Sequence, residues 1–201
     1  CNVEKEGRPD AAPKRTGGGP DYLEVAGHLL PDAHRDGLSR LRATGALCTL
    51  LELERSLTPY YWLNIADPEM PFGGLIEHTN YIPRERYGGR ILLYISNYLF
   101  TDHPMYAAPK TKVIDEYAPH LARINPAFDR SWIKKVHHFR ADYAQPVVST
   151  GYRERIPGMR TPVSGLYLCS MAQIFPEDRG QNYAIAYGEK VARSVLEDVH
   201  A

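Results

Sequence analysis

TPVSGLYLCSMAQIFPEDRGQNYAIAYGEKVARSVLEDVHA, Thr161 to Ala201, is the stretch whose reading decides the fold. Leu166-Tyr167-Leu168-Cys169 is an uninterrupted apolar run between Gly165 and Ser170, the pattern of a short strand covered on both faces. Met171 to Glu177 reads as a loop carrying Pro176. Asp178 then suits an N-cap, because a short carboxylate accepts amide hydrogens of a first helical turn. Ala184, Gly188, Val191, Val195 and Val199 recur at helical spacing, with Glu189, Lys190, Arg193, Glu197 and Asp198 mostly elsewhere on the wheel. The row Ala184, Gly188, Ala192 lets a backbone or a flat ligand come close. Gly180, Gln181 and Asn182 fall in the predicted first turn, where free amides and the positive dipole end favour an anionic or carbonyl-rich ligand. The plainer alternative is a strand and helix that simply finish a domain.

Working outward, residues 144 to 164 carry Pro146, Pro157 and Pro162 and read as irregular chain wrapping over something. Ser131 to Tyr143 reads as a long two-faced strand. Lys110 to Ile124 reads as a helix with Val113, Tyr117, Leu121 and Ile124 inward and a kink or restart at Pro119. Further upstream, Ala46 to Leu53, Tyr60 to Ile65, Phe72 to Tyr81 and Arg90 to Phe100 are four predicted strands with short connections, which argues for an antiparallel meander. Asp21 to Leu30 and Asp32 to Arg42 read as helices separated by Pro31. Residues 1 to 20, charged and ending Gly17-Gly18-Gly19-Pro20, read as a disordered or irregular lead-in.

The 201 residues carry no net formal charge, so no global field attracts nucleic acid or an anionic membrane. No apolar run reaches the length of a membrane span. Fourteen tyrosines against five phenylalanines suit walls that are apolar in body and hydrogen-bonding at the tip. Cys48 and Cys169 read as small buried hydrophobes in apolar strands, which favours a reducing, cytoplasmic setting. Cys1 as first residue admits either a truncation or a processed, even lipid-anchored, N-terminus. The histidines show no ligand spacing and no metal site is expected; His137 and His138 are adjacent and point to opposite faces of their strand.

Chemistry is best sought on the third predicted strand. There Leu75, Glu77 and Thr79 share one face and Ile76, His78 and Asn80 the other. A cleft at this strand offers Glu77 or His78, not both, and the alternative is that one face meets water. His78 and Asn80 beside Tyr60, Tyr61 and Trp62 make a reasonable pocket wall. There is no Gly-x-Gly-x-x-Gly after a strand, the element that cradles a dinucleotide pyrophosphate.

Gly165-Leu166-Tyr167-Leu168-Cys169-Ser170-Met171, a loop, and Gly180 opening a helix resemble the C-terminal flavin-binding segment of FAD-dependent amine-oxidase-like flavoproteins. That superfamily includes protoporphyrinogen oxidases, carotenoid desaturases and UDP-galactopyranose mutases. The resemblance extends through YYWLNIADPEMPF, GLIEHTNYIP and RINPAFDRSW. It implies an α+β chain: an antiparallel sheet with flanking helices as substrate domain (21 to 160), then a strand and helix (161 to 201) closing a Rossmann-like FAD domain that lies N-terminal to this chain. It implies FAD as cofactor, held here by Ser170, Met171, Asp178, Arg179, Gly180, Gln181 and Asn182, and the missing dinucleotide-binding half as partner. The strand in that family usually ends Gly-Asp or Gly-Glu, where this chain has Ser170-Met171, and methionine offers no strong acceptor for a ribityl or ribose hydroxyl. Arg140 to Pro146 resembles the segment passing near the isoalloxazine, which adds Tyr143 and Gln145 to Tyr61, His78 and Asn80 as substrate or flavin contacts. The implied reaction is hydride transfer from an organic substrate to flavin, with no catalytic residue assigned. Two alternatives remain: a flavin-dependent sugar-nucleotide mutase, for which Arg84, Arg86 and Arg90 are the local cations for a diphosphate, and a non-catalytic aromatic-walled module for binding small molecules.

Overall fold

A computed structural model describes residues 20 to 200; the lead-in expected over residues 1 to 20 lies almost wholly outside them, as does Cys1. Two helices open the described chain, α1 (Pro20–Ala26) and α2 (Asp32–Ser39). Then come β1 (Ala43–Leu53), β2 (Trp62–Asn64), β3 (Gly74–Glu77) and β4 (Ile91–Leu99). A short α3 (Pro104–Ala107) and the longer α4 (Lys110–Ile124) lead to β5 (Ile133–Pro146), and α5 (Gln181–Val199) closes the chain. The architecture is α+β, with one five-stranded sheet in the order β2-β3-β4-β1-β5 and every neighbouring pair antiparallel.

The predicted four-strand meander holds for β2, β3 and β4 and fails for β1. β1 pairs with β4 on one side and β5 on the other. Its eleven residues alternate between buried and half-buried, and a strand this long and apolar gains most in the centre of a sheet. β2 is only three residues long and takes the edge. β3 stops at Glu77, and His78 to Asn80 turn into a 3-10 helix.

One sheet face carries the core. Leu47, Thr49, Leu51 and Leu53 of β1 are buried, beside Leu93 and Ile95 of β4 and Leu75 of β3. Val113, Ile114, Tyr117 and Leu121 of α4 pack in one cluster with Leu51, Leu53, Leu75, Leu93 and Ile95, each fully buried aliphatic side chain contributing about 1.5–3 kcal/mol. α4 runs through Pro119 without a break. Pro119 and Asp115 are both on the exposed side, so water can satisfy the carbonyl that proline leaves free.

A second, smaller cluster joins Leu38 of α2 and the flanking Leu30 and Leu41 to Tyr152, Leu168 and Ala172, drawing on both sides of residue 160. It changes the reading of Leu166 to Cys169, expected as a buried strand. Only Leu168 is buried there and Cys169 is exposed. The segment folds back on residues 159 to 161 through a single bridge, Arg160 to Tyr167, with Leu168 N donating to Met159 O at 2.7 Å. Gly165, at φ 76°, makes the turn. The backbone groups are thus used locally instead of in the main sheet, and Cys169 is no buried hydrophobe.

Gly45 in β1 has no room for a side chain: a Cβ there would stand 2.7–2.9 Å from the ring and hydroxyl of Tyr106. Tyr106 is buried and its hydroxyl donates to Asp142 Oδ1 at 2.7 Å. Gly45→Ala is therefore expected to destabilise the chain by about 1–3 kcal/mol, read as a lower urea midpoint with unchanged slope; an unchanged midpoint would show that Tyr106 moves aside freely.

Candidate functional site

Side chains on β1 alternate faces, so the residues between the buried ones point away from α4. Registers across the sheet place Ala46, Cys48, Leu50 and Glu52 of β1 beside Tyr98, Ser96, Tyr94 and Leu92 of β4. On the other side they meet Ala141, Phe139, His137 and Lys135 of β5. Ile76 of β3 and Trp62 of β2 continue the row beyond Tyr94. This second face is open: Trp62, Tyr98 and Phe139 are 55%, 48% and 55% exposed. It is a mostly apolar, aromatic-rich surface with polar groups at its margins.

His78 lies next to this face. Its Nε2 is 2.6 Å from the Tyr87 hydroxyl, and its ring meets the edge of Tyr94 at 6.1 Å. Glu77 takes the opposite side, at zero exposure in the core. Glu77 ends β3 on its core side and His78 opens the 3-10 turn that follows, so of the pair only His78 adjoins the open surface. Glu77 Oε2 accepts the amides of Leu57 and Thr58 at 3.0 and 2.9 Å, while Oε1 has no hydrogen-bond partner. Burial pushes its carboxyl up from the usual range, against the lowering effect of the groups that hydrogen-bond to it.

The start of α5 is brought to the margin of the open face. Arg179 donates to the Ala144 carbonyl and the Tyr98 hydroxyl, and its guanidinium lies 5.1 Å from the Tyr98 ring centre. Asp178 Oδ1 accepts from Arg179 N at 2.8 Å and from Gln145 Nε2 at 3.4 Å. Asp178 is therefore no N-cap. Its carboxylate is taken up by these contacts, and the helix starts two residues later than expected, with Gly180 as N-cap in extended backbone (φ −151°) and no side-chain cap. Gln181 and Asn182 are the first helical residues, exposed at an uncapped end.

Of the residues expected to form the site, Gln145, Asp178, Arg179, Gly180, Gln181 and Asn182 come together here, and Tyr143 lies half-buried on β5 just upstream. The others do other work. Ser170 N donates to Gln173 Oε1 at 2.8 Å, and Gln173 Nε2 reaches Pro157 O at 3.1 Å; Ser170 and Met171 thus open a 3-10 turn whose next residue, Ala172, enters the second core. Asn80 Nδ2 donates to Thr58 O and Tyr60 O, tying down a loop. Tyr61 packs with Trp62 and Tyr81 at the β2 edge. Spacing alone does not single out Tyr98, Tyr94, Glu52 and His137: it predicts β4 and β5 as strands but not their pairing through β1. Of the cations considered for a diphosphate, Arg90 faces Glu52 and Arg84 faces Glu85.

The uncapped α5 amides beside an aromatic surface suit a ligand with a carbonyl-rich or anionic edge. No described residues form a metal-ligand cluster, and no helix among them is long and apolar enough to cross a membrane.

No family model matches the chain, and no curated protein matches it. Solved structures do. A protein from Exiguobacterium sp. 255-15, provisionally named protoporphyrinogen oxidase, aligns over 88% of this chain and 40% of its own at TM-score 0.66 and 16% identity. An oxidoreductase from Methanosarcina mazei aligns over 90% of this chain and 42% of its own at TM-score 0.59 and 18% identity. A reduced UDP-galactopyranose mutase aligns over 61% and 26% at TM-score 0.47 and 11% identity, too weak to bear on the argument. The chain shares its fold with part of the first two proteins, as the sequence resemblance implied, and spans about 40% of their length.

A carboxyl with a raised pKa keeps its proton to higher pH in the folded than in the unfolded chain. Its contribution is full below the unfolded value, about 4.3, and is lost as pH rises through the raised value. Glu77→Gln keeps an acceptor for both amides and cannot ionise. The variant should therefore gain stability relative to the unmodified chain as pH rises above the unfolded carboxyl value, about 4.3, seen in urea midpoints; a pH-independent difference would show that Glu77 titrates normally.

Proposed function

We propose that this chain is the substrate-domain and closing portion of an FAD-dependent oxidoreductase that transfers hydride from an organic substrate to flavin. The observation that carries the reading is the anchoring of the uncapped α5 start, through Arg179 and Asp178, at the margin of an open aromatic sheet face. The fold shared with a protein named as an oxidoreductase supports it. The backbone amides of Gln181 and Asn182 would meet the flavin's carbonyl edge, Arg179 would stand beside it, and Tyr98, Tyr94, Leu50 and Phe139 would roof the substrate. Oxidised flavin, when bound, supplies a hydride acceptor; the chain supplies orientation, an apolar roof and exclusion of water. The ADP portion needs a phosphate cradle from a dinucleotide-binding half of the protein, the partner this reading requires. The exposed apolar residues of α5, Ile185, Leu196 and Val199 at 65%, 58% and 73%, are the surface on which such a half would pack.

Two measurements test this. The isolated chain should bind FAD no tighter than micromolar, because helix-end amides are too few contacts to offset immobilising a large cofactor; sub-micromolar binding would overturn that division of labour. In the flavin-loaded protein, Gln181→Pro removes an amide at the first helical position, where proline is tolerated. Helix-end interactions with charge are worth up to about 2 kcal/mol, so the flavin potential should fall by a few tens of millivolts, roughly 30 mV per 1.4 kcal/mol for two electrons, or FAD retention should weaken. Gly180→Pro is the poorer probe, since φ −151° at that position excludes proline. Unchanged potential and full flavin occupancy in Gln181→Pro would reduce α5 to a packing element.

A further inference from the structure

His137 sits on the open face, opposite Leu50 of β1. Its Nε2 is 2.9 Å from Glu52 Oε1, and the two side chains are 30% and 14% exposed. Glu52 is next to the core-facing Leu51 and Leu53 but points the other way, and Arg90 Nε stands 3.6 Å from its second oxygen. The hydrogen bond from His137, then Arg90 and Lys135, hold the Glu52 carboxyl below its usual range, so it is a carboxylate. Phe139, two residues along the same strand, lies parallel to the imidazole at 3° and 6.4 Å. The ring is thus fixed in plane and in tautomer: the carboxylate accepts Nε2–H, and no described residue hydrogen-bonds Nδ1. A carboxylate-buttressed imidazole with one ring nitrogen free at the margin of an apolar surface is the arrangement a general base requires.

Its neighbour shows how specific the placement is. His138 turns to the core face, where Thr49 Oγ1 is 3.0 Å from its Nδ1. Burial, with Arg140 and Lys110 nearby, lowers it to about 4, so it stays uncharged at neutral pH, a weak base turned away from the open face.

We propose that Glu52 and His137 form a general acid–base dyad serving the open sheet face, with His137 Nδ1 accepting a proton from a flat, largely uncharged substrate laid across Leu50 and Phe139. From Ala46, beside Tyr98, to Leu50, beside His137, is four residues, or about 13 Å along β1. That leaves room for a planar ring system between the Arg179 end and the base. This deepens the oxidoreductase reading and rests on it for the natural reaction. There, a C–H bond breaks with its electron pair passing as hydride to oxidised flavin. An N–H or O–H on the adjacent atom breaks, its proton passing to His137 Nδ1, and a C=N or C=O bond forms.

The test needs neither flavin nor natural substrate. 5-Nitrobenzisoxazole is a flat carbon acid: when a base takes its C3 proton, the N–O bond breaks and a nitrile and a coloured nitrophenolate form. The purified chain should open it with saturation and at least about ten-fold faster than an equal concentration of free imidazole. His137→Gln should return the rate to background, and His138→Gln should leave it unchanged. Glu52→Gln should lower the rate, because the ring loses the carboxylate that accepts Nε2–H and fixes its tautomer. Circular dichroism of each variant confirms the fold. A rate no higher than free imidazole, or one that survives His137→Gln, overturns the dyad. Flavin retention by the full-length protein plays no part in the assay, so a failure of the oxidoreductase reading stays separable from a failure of this one.

Discussion

The packing of α4 on one face of the sheet is the contact on which the rest depends. Val113, Tyr117 and Leu121, at zero exposure, pack in one cluster with Leu51, Leu93 and Ile95, also at zero. Because side chains alternate along each strand, burying this set commits the intervening set to the other side. A register slip of one residue would move Glu52 and His137 under α4 and Leu51 and Leu53 into water. The apolar core therefore fixes the composition of the open face, and with it the distance from Arg179 to His137.

The closing helix is attached differently. Only Val191 and Ser194 of α5 are buried, too little apolar area to hold nineteen residues by burial alone. Both ends are held instead by arginines. Arg179 fixes the start to Tyr98 and Ala144. Near the far end Arg160 pairs with Asp198 at 2.8 Å and Glu197 at 3.3 Å, while the Tyr167 hydroxyl donates to Asp198 at 2.7 Å. Exposed ion pairs of this kind contribute little individually; their value is orientation. They hold the uncapped helix start at the margin of the open face and leave Ile185, Leu196 and Val199 exposed.

The sequence was most legible where periodicity was strong. α4, β1, β4 and β5 all follow from apolar spacing, and the opposite facing of His137 and His138 follows from strand parity alone. Non-local pairing was not legible. Nothing in Ala43–Leu53 says that β5, some eighty residues on, will take its free edge, so Glu52 and His137 could not be brought together from spacing. Leu166 to Cys169 misled for a related reason. An apolar run of four fits a buried strand or a short hairpin arm equally well, and Gly165 with Thr161 decided for the hairpin by satisfying the backbone locally: Thr161 Oγ1 donates to Leu166 O at 2.8 Å. Asp178 looked like a cap because carboxylates cap helices. The competing acceptor role, toward Gln145 and its own neighbour's amide, depends on where β5 ends.

Tyrosine usage joins these observations. Tyr94 and Tyr98 of β4 stand on the open face, and Tyr87 reaches the same margin through His78. Phenylalanine would give the same apolar area, but only tyrosine can offer a hydrogen bond at the tip where the ring body lies flat. Tyr98 spends its hydroxyl on Arg179 and Tyr87 on His78, each fixing a charged or titratable group at the border. Tyr94 lies between them with its ring half-buried, and burial raises its hydroxyl above the usual range, so it stays protonated at neutral pH. The centre of the face is consequently uncharged while its margins are ordered and polar. Such a surface suits flat apolar molecules better than charged ones.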